Sequence, residues 1–424
     1  MFIIYDLVFL LFAFAYLPLY WFRKKFHRGF DRRLGILPKG LSLDRPIWIH
    51  AVSVGEAMAV KGLIAELQKL YPDKKIVIST VTPTGNKIAQ SAARDKDFVT
   101  YLPLDLGLIV KNVIDRINPS LFILAETEIW PNLVAYLYRK QIPIIIINGR
   151  ISDASFKGYS LIKFLLKSVL DKVNLFCVQT ERDAERLSNL GVKENRIKVT
   201  GNMKFDSATY IKEVSREDTA KYKSLLGLTR RGRLVVAGST HTGEEKIIFS
   251  VYRKLLIEFP DLRLLIAPRH PVRAKAVQKL ILDEDFNAEL VSGLEKKPQN
   301  AECKDVFILD TIGELLYFYA IADIVFMGGS LIRKGGHNIL EPAIFSKPII
   351  FGEHMFNFRD IAELFSVNQA AILVHDEDEL SGVIRDLLTD YSKAQELGKN
   401  ARSLVLKSQG ATLKNLEFIK SYLA

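Results

Sequence analysis

Twice along this chain, short apolar runs of β type alternate with segments whose apolar residues recur at helical spacing. In the first half the runs are 47–50, 75–80, 121–125, 142–148 and 175–178; in the second they are 234–237, 263–267, 306–309, 324–327, 348–351 and 371–374. A strand buried on both faces reads as a continuous apolar run, and helical crossovers between such strands force them to pair in parallel. The expectation is an α/β chain with two doubly wound parallel sheets, at 46–206 and 234–424, joined by a charged linker at 207–233 that lacks a long apolar run. A length of 424 residues exceeds what one core organises, and a 49% hydrophobic content is ample for two. In open sheets of this kind ligands bind beyond the carboxyl ends of the strands. A cleft between the two sheets is therefore where the chemistry is expected.

The N-terminus carries a different signal. Residues 3–22 form an apolar run with a single charge, Asp6, and a single proline, Pro18, long enough to cross a bilayer. Arg23, Lys24, Lys25, Arg28, Arg32 and Arg33 follow at once. The positive-inside rule then places that flank and everything after it in the cytoplasm. A cleavable signal peptide would carry its positive charge before the apolar run, although Ala13-Phe14-Ala15 resembles a cleavage site. The expectation is an uncleaved transmembrane anchor at 1–22 and a basic juxtamembrane segment at 23–45 that attracts anionic headgroups. An interfacial helix is the alternative, because Tyr5, Asp6 and Tyr20 are polar.

Lys and Arg exceed Asp and Glu by 59 to 48, a net charge of +11, which suits an anionic partner. No RNA-recognition signature, zinc-finger spacing or basic tail points to a nucleic acid polymer. Cys177 and Cys303 lie far apart without Cys-x-x-Cys spacing, as expected of buried thiols in a reducing compartment.

Unusual polar residues gather after the apolar runs. His50-Ala-Val-Ser-Val-Gly-Glu56 opens a helix, so Glu56 either complements a helix dipole or faces a ligand. Glu126 and Glu128 follow the run at 121–125, where ionised groups must meet bases or a ligand. Arg150, Lys204, Arg269 and His270 supply charge after other runs. Between Met327 and Pro342 the pairs Gly328/Gly329 and Gly335/Gly336 remove Cβ atoms that would hold a ligand off the backbone, and Asn338 is placed to cap a helix carrying Glu341. Such a helix start suits a phosphate, and an ordinary tight turn explains the glycines equally well.

These residues fall into seven ordered motifs: 50–56, Thr-Pro-Thr-Gly at 82–85, Glu-Thr-Glu-Ile-Trp-Pro-Asn at 126–132, Pro-Arg-His-Pro at 268–271, Asp-Thr-Ile-Gly-Glu at 310–314, Gly-Gly-His-Asn-Ile-Leu-Glu at 335–341 and Phe-Asn-Phe-Arg-Asp at 356–360. Together they resemble the 3-deoxy-D-manno-octulosonic acid (Kdo) transferases over nearly the whole chain. Only Arg359, where Lys is also expected, and Ile339, where the family tolerates Pro, vary. The resemblance implies a GT-B fold of two Rossmann-like domains facing a cleft, the first binding acceptor and the second CMP-sugar. It implies an inverting glycosyltransferase moving Kdo from CMP-Kdo to the lipid A precursor at the cytoplasmic face of the inner membrane. It also implies that Glu56 is the general base and that Glu126 and Lys204 stabilise the transition state, while Glu128 either shares that role or holds its loop. Pro268, Arg269, Ile312, Gly313, Glu314, Asn338, Ile339, Leu340 and Glu341 match the family's CMP contacts. His270 and His337 have no assigned role.

No metal or other cofactor is expected. Of the two D-x-D patterns, 283–285 and 376–378, the second opens a helical segment, where acidic residues cap and complement the dipole. The segment 157–172 sets Leu161, Phe164, Leu165 and Val169 beside Lys157, Lys163, Lys167 and Lys172. That pattern is either a core-facing amphipathic helix or a contact for membrane or lipid A. Two other functions share some of these features. A sugar-nucleotide epimerase of similar fold would have no need of an anchor, and a non-catalytic, membrane-tethered nucleotide-binding protein would need neither Glu56 nor Glu126.

Overall fold

The computed structural model describes residues 5–11, 29–210, 214–228, 232–294 and 306–423. Two compact units emerge, Met1–Tyr210 with Ser408–Ala424, and Ile211–Lys407. In the first, β1 (Ile47–His50), β2 (Ile76–Thr80), β3 (Phe98–Tyr101), β4 (Leu121–Ala125), β5 (Ile144–Gly149), β6 (Leu175–Val178) and β7 (Ile197–Val199) form one sheet in the order β3-β2-β1-β4-β5-β6-β7. Every pairing is parallel. Alternate residues of β1 serve the two faces: Ile47 and Ile49 join one core layer and Trp48 the other, edge-on to Phe122 at 5.1 Å. β3 and β7 escape a reading by apolar runs because they are the edge strands and are partly exposed.

The second unit repeats the plan. β8 (Arg233–Thr240), β9 (Leu262–Pro268), β10 (Ala288–Leu290), β11 (Val306–Ile308), β12 (Ile324–Met327), β13 (Ile349–Gly352) and β14 (Ile372–Val374) pair in parallel in the order β10-β11-β9-β8-β12-β13-β14. The expected pair of doubly wound α/β sheets is what the chain forms.

Three boundaries differ from the sequence expectation. The C-terminal helix Ala411–Lys420 belongs to the first unit, not to a domain ending at 424: Ala411, Leu416 and Ile419 complete its core, and the Asp206 carboxylate accepts from the Gly410 N–H at 2.6 Å. Periodicity is a local property and does not reveal which sheet a terminal amphipathic helix will cover. Much of the expected linker 207–233 is the helix Arg216–Leu225 of the second unit, closed by a Ser215–Asp218 capping box, with buried Tyr222 stacked on Tyr317 at 4.7 Å.

The third difference concerns the juxtamembrane segment. Residues 29–38 are folded onto the first unit: Leu37 is buried in its core, Arg33 is buried with its carbonyl accepting from Leu104 N–H at 2.7 Å, and Asn112 donates to the Gly35 carbonyl at 3.1 Å. Two arginines of the expected basic flank, Arg32 and Arg33, therefore serve the fold, Arg32 by donating to the Ile36 carbonyl at 2.9 Å. Most of the expected anchor, and Cys303, lie outside the described residues. The part described, 5–11, is helical, and Asp6 accepts from the Asn132 side chain at 2.6 Å and from Gly107 N–H at 3.2 Å. No helix among the described residues is long and apolar enough to cross a membrane.

A chain begun at Lys39 should unfold at a lower temperature than one begun at Gly29, because it also loses Leu37 and the backbone bonds of 29–38. Leu37→Ala alone should cost about 2–5 kcal/mol, the usual penalty for emptying a buried leucine site. Equal unfolding temperatures for the two truncated chains would show that the segment adds no stability.

Candidate active site

The first unit collects carboxylates at the carboxyl ends of its central strands. After β1 the chain passes Ala51 and Val52, and Ser53 caps the helix Val54–Leu70 by accepting from the Glu56 N–H at 3.3 Å. The Glu56 carboxylate turns back over the cap. One oxygen accepts from the Val52 N–H at 2.7 Å and the other from the Ser53 hydroxyl at 2.8 Å. This closure resembles a capping box, so helix capping is one job Glu56 performs. It is not the whole account, because Glu56 is buried and its pKa is raised, first by desolvation and then by the charge of Glu126. Removing the hydration of a carboxylate and adding a like charge both favour the protonated form.

Glu126 and Glu128 leave the end of β4. Glu126 continues the ladder, its N–H donating to the Ile147 carbonyl at 2.9 Å, and then adopts φ +59°. Left-handed backbone at a non-glycine residue is uncommon and here re-aims the chain at the carboxyl end of β4. The turn is pinned by Thr127, whose hydroxyl donates to the Arg150 carbonyl at 2.7 Å and accepts from the Arg150 N–H at 2.9 Å. Lys204 reaches Glu126 at 3.6 Å, both side chains partly buried. The loop bearing Lys204 is held by buried Asn148, itself at φ +52°, whose Oδ1 accepts from the Met203 N–H at 2.9 Å. Glu128 has its pKa pushed up to about 7 by burial first, then by Glu56 and Glu126. The structure thus brings Glu56, Glu126, Glu128 and Lys204 together. His50 stands apart from them: it is fully buried in β1 with Nδ1 2.9 Å from both Ser79 oxygens, and burial pulls its pKa down to about 3.

The second unit gathers its polar loops at the same end of its strands, and two sequence expectations need correction there. The glycines make room for the protein's own chain. A Cβ on Gly328 would lie 2.5 Å from the Ser239 carbonyl oxygen, and one on Gly336 would strike Met355. The loop N–H groups are also already engaged. Buried Glu244 accepts from Gly329 N–H at 2.7 Å, from Ser330 and Leu331 N–H at 3.1 Å, and from His241 N–H at 3.3 Å. The expected helix start is only the short helix Leu340–Ile344, and Asn338 spends its side chain accepting from Leu340 N–H at 3.2 Å and donating to Glu341 at 3.2 Å. Glu341 has its pKa raised by burial, against the pull of Asn338 and Arg269.

Of the other expected nucleotide contacts, Ile339 and Leu340 are buried, as is Pro268, while Arg269 is exposed and Ile312 is 88% exposed beside Gly313 at φ +94°. Glu314 accepts from the Tyr222 hydroxyl at 2.8 Å and from Thr311. The unassigned histidines contact one another: His337 Nε2 lies 2.9 Å from His241 Nε2 with the ring planes within 6° of parallel, and His270 stands edge-on to His241 at 6.4 Å. Burial, then Arg269 and the neighbouring histidines, lowers the His337 pKa to about 4, which keeps one partner neutral as a shared N–H requires. Glu244 and His241 were missed in the sequence. The polar run Ser239-Thr-His-Thr-Gly-Glu244, directly after a strand, is the signal that could have found them.

Among the described residues, no group of His, Cys, Asp and Glu is arranged to hold a metal ion. Asp376 caps the helix Glu377–Thr389 by accepting from Glu379 N–H at 2.9 Å, and Asp378 pairs with Lys254 at 3.2 Å.

A family model described as 3-deoxy-D-manno-octulosonic-acid transferase (kdotransferase) matches residues 28–207. The chain is 37% identical over 379 residues to the 3-deoxy-D-manno-octulosonic acid transferase of Haemophilus influenzae, covering 89% of this chain and 87% of that one. It belongs to the Kdo transferase family. The Chlamydophila psittaci transferase is 33% identical over 395 residues, covering 91% of this chain and 88% of its own. As a Kdo transferase family member the chain is a glycosyltransferase. Among solved structures, a putative UDP-N-acetylglucosamine 2-epimerase from Listeria monocytogenes is similar with a TM-score of 0.60 and 14% identity over 90% of this chain and 97% of that one. A glycosyltransferase from Rickettsia africae gives 0.57 and 17% over 90% and 99%. At such identities the likeness is one of fold, two parallel-sheet α/β domains of GT-B-like kind. The epimerase alternative therefore has fold similarity alone behind it.

The titration of Glu128 yields a prediction with a definite sign. Its folded pKa, about 7, lies above the ordinary 4.5, so the folded chain holds a proton that the unfolded chain releases. The associated stability is complete below about pH 4.5 and is lost as pH rises through about 7. Glu128→Gln should therefore stabilise the protein at pH 8 relative to pH 5, by about 1–2 kcal/mol once solvent screening is allowed for. Denaturant unfolding at the two pH values measures the difference, and a pH-independent effect would place Glu128 outside the carboxylate cluster.

Proposed function

We propose that this Kdo transferase family enzyme moves Kdo from CMP-Kdo to a hydroxyl of a lipid A precursor, with inversion at the anomeric carbon and without a metal ion. The observation that carries the reading is the cluster of Glu56, Glu126 and Glu128, with Lys204 paired to Glu126. An inverting displacement needs a base that takes the acceptor proton as the new bond forms. Glu56 suits that task. Each of its oxygens receives one hydrogen bond, from Val52 N–H or Ser53 Oγ–H, which leaves a lone pair on each for the acceptor hydroxyl. Its raised pKa makes it a stronger base than an exposed carboxylate, and Lys204 offsets the charge of Glu126 beside it. In the step, the acceptor oxygen bonds to the anomeric carbon while its proton passes to Glu56. The bond from that carbon to the phosphate oxygen breaks, and CMP leaves with the electron pair.

The donor is assigned to the second unit through Arg269, whose guanidinium would neutralise the phosphate and stabilise charge growing on the leaving group. Because Glu244 occupies the loop N–H groups at Gly329, Ser330 and Leu331, the phosphate must be met by side-chain cations and not by that loop's backbone. Ile312-Gly313-Glu314 and Asn338 to Glu341 complete the proposed CMP contacts, with Glu341 accepting from ribose.

A lipid acceptor and a location at the cytoplasmic face of the inner membrane are supported by the first unit's surface. Leu161 and Phe164 are 89% and 90% exposed on the helices Asp153–Leu161 and Lys163–Leu170, which also carry Lys157, Lys163 and Lys167. The core-facing alternative accounts only for Leu166, Val169 and Leu170, which are buried. Apolar tips among lysines suit an interface of acyl chains and anionic headgroups.

Glu56→Gln should keep the fold and CMP affinity, since the amide oxygen still accepts from Val52 N–H and the amide N–H can donate to Ser53. Turnover should fall about 10²- to 10⁴-fold, the usual loss on removing a general base. Turnover within a few-fold of the parent at saturating acceptor would move the base to Glu126 or Glu128. Activity should also survive EDTA; abolition by EDTA with rescue by Mg²⁺ or Mn²⁺ would overturn the metal-free mechanism.

A further inference from the structure

At the amino ends of β8, β12 and β13, the end of the second sheet opposite the polar loops described above, lies a cavity of about 480 Å³. That volume is within the range of small-molecule sites. Arg233, Lys347, Lys399 and Arg402 line it with a single carboxylate, Asp323. Asp323 is already engaged, accepting from the Leu234 N–H at 2.8 Å. Lys223 adds a further positive charge close to both Asp323 and Lys347. None of this belongs to the transfer chemistry, which sits at the other end of the strands.

Two observations set the cavity apart from a patch of surface lysines. The Arg233 guanidinium is fixed over the Phe259 ring at 5.0 Å, which holds a planar cation in the cavity wall. Lys347 is enclosed in the cavity wall between β12 and β13, where burial lowers its pKa and Asp323 works to raise it. A protein gains no stability by concentrating cations around a cavity with one engaged carboxylate, and an anion occupying it would relieve the repulsion. Phosphate oxygens match a guanidinium flanked by ammonium groups, and Leu387, Leu388 and Tyr391 on the same wall would pack against an organic group attached to the phosphate.

We propose that this cavity is a second, non-catalytic site for a phosphate-bearing ligand, either a soluble phosphorylated compound or the headgroup of an anionic phospholipid. The inference is independent of the transfer reaction proposed above.

The test compares the full-length protein with Lys399→Ala/Arg402→Ala, whose substituted side chains are exposed and leave the core intact. Calorimetric titration with inorganic pyrophosphate should show the parent binding one equivalent more than the double variant, while Kdo transfer by the two proteins stays equal. In parallel, both are sedimented with vesicles of phosphatidylglycerol and of phosphatidylcholine. If the pyrophosphate difference is absent and co-sedimentation with phosphatidylglycerol falls at least fivefold in the variant, the ligand is a lipid headgroup. A pyrophosphate difference identifies a soluble ligand. Identical behaviour of the two proteins in both measurements overturns the proposal, whatever their transferase activity.

Discussion

Like-charge repulsion among Glu56, Glu126 and Glu128 is the interaction on which the first unit's chemistry depends. Carboxylates brought this close out of bulk water do not all stay ionised at neutral pH unless cations compensate, and Lys204 is the cation the fold delivers to Glu126. Holding the group together requires several local departures from regular structure. Glu126 and Asn148 both take left-handed backbone, and Thr127 ties the carboxylate turn to the neighbouring strand end at Arg150. The parallel sheet makes the arrangement affordable, because β1, β4 and β5 are buried and rigid and their carboxyl ends all open on the same side.

The second unit solves the opposite problem with one internal anion. Its loop after β12 presents several N–H groups in succession, a geometry that commonly binds phosphate. Here Glu244 enters that nest from the start of the helix Glu244–Leu255 and satisfies it. The loop is thereby fixed before any ligand arrives, and the His241–His337 pair, meeting Nε2 to Nε2 at 2.9 Å, joins it to the end of β8. Arg269, directly after β9, stays exposed, and an exposed cation costs less to leave open to water than buried backbone donors do.

Central strands were legible in the sequence because burial on both faces makes them unbroken apolar runs, as at Leu121–Ala125 and Ile324–Met327. Edge strands such as Ile197–Val199 were not, since half their residues face water and imitate loops. Glu56 and Glu126 stood out as charges after apolar runs, and the structure gathers them with Lys204. Glu244 did not, because most of its partners lie more than eighty residues away in sequence, and the polar run Ser239–Glu244 marks the place without naming them. The glycines were misleading for a related reason. Gly328 and Gly336 do permit close approach, but of the chain's own backbone and of Met355, and a sequence does not say which neighbour will come near. The same limit explains the helix Ala411–Lys420, whose apolar face fits either sheet by pattern and is claimed by the first.

The proposed reaction joins Kdo to a lipid acceptor through a new glycosidic bond formed with inversion. Its most direct test is to incubate the full-length protein with CMP-Kdo and a tetraacylated lipid A precursor, then analyse the glycolipid by mass spectrometry and its anomeric linkage by NMR. The account predicts a glycolipid heavier by one or more Kdo units, with stoichiometric CMP release and anomeric configuration opposite to that of the donor. Retained configuration would contradict the single displacement at Glu56, and CMP release without a heavier glycolipid would contradict the assigned acceptor.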